Sequence, residues 1–434
     1  FFCYIMANVI KLKKGLDIQL KGKPAETLLT GGLSASYAIV PNNFNGITPK
    51  VVVHAGDKVK AGSVLVIDKT YPEIKFVSPV SGEVLAVNRG EKRKVLSIVV
   101  KPDAENQYED FGKKNVSALN GEEVKEAILN AGLWPCIKQR PYDIIARPGD
   151  DPRDIFVSAF YSAPLAPNFD FVIKGQEKDF QTGLDALAKL TNGKLYVGLK
   201  KGSAIKVSNA EVIEFEGPHP VGNVGVQINH IKPVNKGETV WTVRPDDVIL
   251  IGRLFNTGIA DFTRLIALTG SELAKTGYIK AIAGCNINSL VDKLQPTQGN
   301  VRIISGDVLS GTKVSKEDYL GFYDTQITTI PEGDETHEFL GWAALGVNKF
   351  SAGYTFLSSL FGGTKKERVI DARIKGGKRA MIMSNEYDKV FPMDIFPEYL
   401  LKAIIAFDID KMENLGIYEV APEDFALCEV IDTS

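Results

Sequence analysis

The sequence predicts a multidomain α+β protein: an all-β module, then an open α/β sheet, a β-grasp unit and a mostly helical end. Three observations carry this. Residues 50–102 alternate apolar and polar positions in short runs broken by turn residues; residues 115–250 alternate such runs with amphipathic helices; and the last quarter holds long apolar-rich stretches with few breakers. The chain has 434 residues, 44% of them apolar, which is room for about three domains of ~150 residues with ordinary cores.

In the first module the alternation falls at 50–53, 64–67, 74–77 and 95–100, as half-buried strands require. Gly56-Asp57, Gly62, Pro79 and Gly82 supply the turns. The pattern HAGDKVKAGSVL followed by SPVSGEV resembles biotinyl and lipoyl carrier domains, so the module, placed at 6–102 with its N-terminal arm, reads as a barrel-sandwich fold. Carriers of that kind hang a cofactor on a hairpin-tip lysine. Lys69 stands near that position but about three residues early after Gly62, with Pro72 reshaping the tip, so an unmodified scaffold is expected.

A polar linker, 102–114, leads into the α/β part at 115–250. Residues 121–133 place Val124, Ile128 and Leu129 on one helical face and stop at Gly132. The runs 154–160 and 169–175 read as buried strands, and 194–200 and 211–217 as two more. Between them Asp179 reads as the cap of a helix with Phe180, Leu184, Leu187 and Leu190 in one stripe. From 251 to 330 strands around a short helix capped by Asn288 suit a β-grasp unit. In the last part, 331–434, helices are expected at 339–360 and 394–415. Residues 365–379 carry seven basic and two acidic residues, and 408–432 eight acids against one lysine, a contrast suited to subunit docking.

Composition narrows the function. A formal charge of −2 gives no global attraction to nucleic acid or to an anionic bilayer. Cys3, Cys136, Cys285 and Cys428 form no C-x-x-C pair, and His54, His219, His230 and His337 lack ligand spacing, so neither a metal site nor a cysteine-rich cluster is expected. No run of about 18 apolar residues appears. Met6 reads as the natural start, with Phe1 to Ile5 too short for a signal peptide. Gly217, Gly222 and Gly225 do not match G-x-G-x-x-G and precede no obvious helix, and 362–368 lacks Walker spacing. Neither predicts a nucleotide site.

Longer stretches are more specific. PLAPNFDFVIKGQEKDFQTGLDAL (164–187), GPHPVGNVGVQINHIKPV (217–234), VWTVRPDDVILIGRLFNTG (240–258) and EDFALCEVID (423–432) resemble the A subunits of the bacterial sodium-translocating NADH:quinone oxidoreductases. The likeness runs from Met6 onward. It implies a barrel-sandwich domain, a Rossmann-like domain related to the flavin subunit of complex I and to the Rnf complex C subunit, a β-grasp domain of the SLBB-like kind, and a helical C-terminal domain. Members of that family continue past the Leu-Cys region, so the stop at Ser434 reads as a shortened terminal domain. The implied assembly has six subunits, oxidises NADH, reduces quinone and exports sodium. This subunit is expected to lie peripherally on the cytoplasmic face of the inner membrane, at the quinone end, held by partner subunits.

The resemblance also implies that NADH, FMN, riboflavin, FAD and the iron–sulfur centres sit on other subunits, with quinone as a candidate ligand here and the isolated chain inactive. No catalytic residue is expected. Residues 28–46 mix small residues with Leu33, Tyr37 and Phe44, a composition that suits either a flat quinone-adjacent surface or an arm packed on the first domain. A stand-alone carrier, a flavin dehydrogenase and an assembly scaffold are the rival classes.

Overall fold

The computed structural model describes residues 9–291, 300–334, 345–347, 349–351, 356–359, 365–374 and 379–432. Residues 9–36 belong to no single domain. Strand β1 (Val9–Lys11) pairs in parallel with a strand of the α/β sheet, and β2 (Leu28–Leu29) extends the β-grasp sheet. Only from β3 (Tyr37–Ile39) does the chain enter the barrel-sandwich module. There β4 (Pro49–Val51), β6 (Val64–Asp68) and β7 (Lys75–Val77) form one sheet. The other has the order β3-β9-β8-β5, with β5 (Lys58–Val59), β8 (Gly82–Arg89) and β9 (Val95–Pro102). Leu65, Phe76, Val84, Ile98 and Val100 fill the space between them. Lys69 is exposed at the β6/β7 tip, where the buried Asp68 carboxylate accepts the Thr48 and Thr70 amides at 2.9 and 3.2 Å.

Helix α1 (Gly121–Asn130) opens the α/β domain with a reciprocal cap: Asn120 Oδ1 accepts the Glu123 amide and Glu123 accepts the Asn120 amide. Then follow β10 (Ile137–Arg140), β11 (Ile144–Ile145), β12 (Ile155–Ser158), α2 (Phe169–Val172), α3 (Glu177–Ala188), β13 (Leu195–Lys200), β14 (Glu211–Glu216), α4 (Val224–Ile231), β15 (Val240–Val243) and α5 (Pro245–Thr257). The sheet order is β1-β14-β13-β12-β15-β10-β11, parallel from β1 to β15, with β10 and β11 antiparallel at one edge.

Three sequence expectations fail here. Residues 169–175 are not a strand: Asn168 caps the Asp170 amide at 3.1 Å, and Phe169 and Val172, one turn apart, bury together. Asp179 does not cap α3, which starts two residues earlier; it lies in the first turn and accepts Asn256 Nδ2 at 2.7 Å. A helix does follow the Gly217–Gly225 stretch, namely α4, which buries Gly225, Val226, Gln227, Ile228 and Asn229 in succession, so that polar and apolar positions do not separate into a stripe.

The β-grasp unit comprises β16 (Thr263–Gly270), β17 (Gly277–Ile282), α6 (Ile287–Val291), β18 (Val301–Ser305), β19 (Thr312–Val314) and β20 (Gln326–Pro331), with β20 parallel to β16 at the centre. The expected boundary at 250/251 falls inside α5, whose left-handed cap Gly258 (φ 83°) is the true end. Much of the expected helix 339–360 lies outside the described residues. The expected helix 394–415 is two, α7 (Pro397–Ile405) and α8 (Ile409–Asn414). Phe407 turns left-handed (φ 56°) and Asp408 starts anew by capping the Lys411 amide at 3.1 Å. The last described helix is α9 (Ala426–Ile431). The terminal residues share a core with the arm and α/β sheet: Leu12, Ile18, Phe215, Val226, Phe391, Leu400 and Leu427 are mutually packed.

Helices α3 and α5 cross at two glycines. A β-carbon on Gly252 would lie 1.7 Å from the Asp179 carbonyl oxygen, and one on Gly183 2.1 Å from that of Val248. Only backbone can be this close, so no side chain can yield. Gly252→Ala should therefore destabilise the chain by about 2–3 kcal/mol, the scale of forced overpacking, read as a drop in thermal midpoint; an unchanged midpoint would show that the two helices can separate freely.

Candidate functional site

The chain leaves β12 towards β13 on one side, whereas β15, on the other side of β12, is reached only after α4 crosses back. Loops diverge at such a reversal, and a crevice opens outside the carboxyl ends of the two strands. Here it is a cavity of about 180 Å³. Its floor is β12 and β15, and its far wall is the β-grasp unit at Gly306–Ser310 and Tyr323–Gln326. Gly222–Val224 and Cys136 and Lys138 close the sides.

The segment after β12 has the sequence AFYSAPLAPN, without a glycine. It delivers Phe160, Tyr161 and Ser162 to the cavity. Arg244, immediately after β15, brings its guanidinium carbon 5.6 Å from the centre of the Tyr161 ring. Tyr161 donates a short hydrogen bond to Asp246. Burial, and then the charge of Asp246, push the Tyr161 phenol well above its usual range. Burial opposes the charge on Arg244, but Tyr161, Asp247 and Asp246 outweigh it and keep the guanidinium protonated. The neighbouring Asp247 is spent on a fully buried ion pair with Arg264 at 2.8 Å.

Two further groups are held towards neutrality by their surroundings. Burial pushes the Asp324 carboxyl up, against a 2.5 Å bond from Ser305 Oγ. Burial also drives the His219 imidazole down to about 4, although Asp307 and Asp17 oppose it. His219 Nδ1 lies 2.9 Å from Ser162 Oγ, which itself accepts the Gly222 amide at 2.8 Å. Ser162 Oγ is thus held between the imidazole and the Gly222 amide. The cavity thus offers the Arg244 guanidinium and, at its side, Lys138 paired with Asp143 at 3.1 Å, together with hydroxyl groups and aromatic faces.

A dinucleotide fold usually presents helix N-termini to phosphate at this edge. Here carboxylates already sit at those ends. The first turn of α5 carries Asp246 and Asp247. Glu177 and Asp179, in the first turn of α3, lie instead beside the last turn of α5, where Asp179 accepts Asn256 Nδ2. No side chain of its own caps α4. Instead Asp424, from the far end of the chain, lies over Gly225: a β-carbon there would be 2.8 Å from Oδ2. Arg140, 1% exposed, fixes that carboxylate at 3.3 Å and Glu423 at 3.0 Å. Burial raises the Asp424 carboxyl, with Arg140 opposing it, while the Glu423 side chain keeps an exposed side.

The structure does not gather Leu33, Tyr37 and Phe44 into one surface. Leu33 is 69% exposed. Tyr37 is buried in β3, its hydroxyl accepting the Ser34 amide at 3.2 Å. Phe44 packs its ring at 4.5, 4.9 and 5.8 Å from Phe76, Phe322 and Tyr323. Both rings meet other side chains, so the segment behaves as a packed arm, with Phe44 backing the cavity wall through Tyr323. Arg244, Tyr161, Ser162 and His219 were missed by the sequence reading; Tyr161, Ser162 and His219 follow closely on strands that the pattern had located, whereas the strand before Arg244 was not read from the pattern.

The chain matches three family descriptions: "NqrA N-terminal barrel-sandwich hybrid domain" over residues 10–103, "NqrA second alpha/beta domain" over 119–260 and "NQRA C-terminal domain" over 265–316. It is 36% identical over 429 residues to the A subunit of the Na(+)-translocating NADH-quinone reductase of Photorhabdus laumondii, covering 98% of this chain and 95% of the relative. With the subunit of the same name from Neisseria meningitidis serogroup A it shares 37% over 429 residues, at the same coverage. With that of Pasteurella multocida it shares 34%, again over 98% of this chain and 95% of the relative. Among solved structures, an NAD+-reducing [NiFe]-hydrogenase chain aligns over 42% of this chain and 41% of its own at 14% identity and a TM-score of 0.33, too weak to bear on the fold.

The buried His219 sets a pH dependence. Between its folded value of about 4 and its ordinary 6.5, the unfolded chain takes up a proton that the folded chain refuses. Stability is then full above pH 6.5 and falls as pH drops towards 4. His219→Gln should flatten that fall by about 3 kcal/mol. Denaturant unfolding of both proteins across the window checks this, and parallel curves would place the titration elsewhere.

Proposed function

Because the chain belongs to the family of A subunits of the Na(+)-translocating NADH-quinone reductases, we propose that it serves the quinone end of that complex by holding the quinone ring in the cavity between β12, β15 and the β-grasp unit. NADH, the flavins and the iron–sulfur centres are then carried by the other subunits of the six-subunit assembly, and this chain turns over nothing alone. No described helix is long and apolar enough to cross a membrane; the chain attaches peripherally through partners, on the cytoplasmic face.

The carrying observation is the pairing of Arg244 with the filled helix ends. Phosphate needs unoccupied N–H groups and close backbone approach, and the carboxylates at α4 and α5 oppose both. A quinone needs less: a flat slot, and donors for two carbonyl oxygens. A cavity of about 180 Å³ is on the scale of a substituted ring rather than a dinucleotide. Arg244 can donate to one carbonyl, and Ser162 and His219 line the same space. As the ring is reduced, charge builds on its oxygens, and a guanidinium held in place beforehand stabilises it most. The isoprenoid tail lies outside, with the membrane subunits. Phe44 and Tyr37 contribute as the packed support of the β-grasp wall, and Leu33 as a contact open to a partner.

Titration of the isolated chain with a short-tailed quinone, followed by tryptophan fluorescence, tests this. Trp134 and Trp241 stack edge to face at 5.4 Å, and the adjacent Thr242 lines the cavity. A saturable change is expected, about tenfold weaker in Arg244→Leu, the size of one lost charge-assisted hydrogen bond. No saturation, or equal affinity in the variant, would favour a purely structural subunit.

A further inference from the structure

Outside the cavity, the most unusual surface lies on the terminal domain. Helix α7 turns Leu400 and Ala403 inward. Its outer side and the turn beyond it leave Phe396 at 64%, Tyr399 at 56%, Ile405 at 71%, Phe407 at 78% and Ile409 at 57% exposed. These five large apolar side chains occur within 14 residues. Scattered apolar residues on a surface need no explanation, but a contiguous cluster marks an interaction site. Phe396 and Tyr399 already meet edge to face at 6.1 Å, as a preformed aromatic platform.

Phe407 sharpens the point. Its backbone is left-handed, at φ 56°. A bulky L-residue adopts that conformation at a cost of ~1–2 kcal/mol, and glycine would serve the turn better. The Phe407 ring, 78% exposed, is the most open of the five. A strained backbone that presents an aromatic ring to solvent points to a use for the ring outside the fold.

Charge decides what covers the patch. Between Asp394 and Asn414 five acids face two lysines. Asp394 and Asp410 are exposed at either end of the apolar cluster, and residues 408–432 carry eight acids against one lysine. An anionic bilayer surface would be repelled by this rim, and a second copy would bring acid against acid. A basic partner is favoured. Cytoplasmic segments of integral membrane proteins are enriched in lysine and arginine.

Resting on the peripheral, cytoplasmic-face role proposed above, we infer that the outer face of α7 and the turn at Phe407 dock a basic, amphipathic cytoplasmic segment of a membrane-embedded subunit. Its apolar side covers Phe396, Tyr399, Ile405, Phe407 and Ile409, and its cations meet Asp394 and Asp410. Aromatic residues at the centre of a desolvated patch carry most of such binding, while the charged rim sets rate and partner choice.

The test measures binding of the purified chain to the detergent-solubilised membrane subunits of the complex prepared without it. Phe407→Gly removes the ring and suits the left-handed turn, so its thermal midpoint should hold or rise while binding weakens at least tenfold. Ile405→Asp should weaken binding likewise with the midpoint unchanged. Asp394→Lys with Asp410→Lys should weaken binding at low salt and lose most of its salt dependence. If the wild-type chain binds and all three variants bind equally well, the docking assignment is overturned while the peripheral role stands; if the wild-type chain does not bind, both fall. Tight binding to phosphatidylglycerol-containing vesicles, strengthened by the lysine pair, would identify a lipid surface instead and overturn the protein partner. So would self-association by sedimentation that Phe407→Gly abolishes.

Discussion

The arrangement at the carboxyl edge of the sheet depends on one buried guanidinium. Arg140 comes from β10, an antiparallel strand beside β15, and reaches Asp424 and Glu423, more than 280 residues away. Without it the fully buried Asp424 carboxylate would lose its cation partner, and breaking a buried pair in this way costs about 3–5 kcal/mol. With it, the last stretch of the chain is fastened over the N-terminus of α4. The Asp424 carboxyl then stands beside Gly225 in the first turn of α4, where a ligand phosphate would elsewhere meet the helix dipole. The same fastening lets Phe391, Leu400 and Leu427 close a core with the arm residues Leu12 and Ile18.

From this follows the difference between the shape of the α/β domain and its chemistry. Its parallel sheet reverses strand order where a dinucleotide would be expected, and a cavity opens there. The groups around that cavity include Arg244 held over Tyr161, Ser162 bonded to His219, and the β-grasp unit as the opposite wall. The site therefore belongs to two domains at once. The arm matters to it indirectly, because β2 extends the β-grasp sheet and Phe44 wedges Phe322 and Tyr323 against the barrel-sandwich module.

Much of the fold was legible in the sequence, and the failures have physical reasons. Alternation with glycine turns located β6, β7 and β9, since one face of each strand is buried. The stripe of Phe180, Leu184 and Leu187 located α3. Residues 169–175 misled because a helix of one turn, buried on several sides, is as continuously apolar as an inner strand. The Asn168 cap was the only contrary sign. The arm was assigned to one domain because strands of two or three residues have no period to read. Leu33, Tyr37 and Phe44 have the composition of a ligand slot, and the same composition packs a core; the contacts that decide between these come from residues 76, 322 and 323. Arg244 and His219 were invisible as a pair, since only the crossover through α4 brings them to one cavity.

The central claim is that this nucleotide-type domain has its anion positions filled by its own carboxylates. Isothermal titration of the purified chain with FMN and with NADH at low ionic strength addresses it directly, because low salt favours phosphate binding. The account predicts no saturable heat with either nucleotide up to millimolar concentration. Stoichiometric micromolar binding of either one, with Asp424 and Arg140 intact, would contradict it.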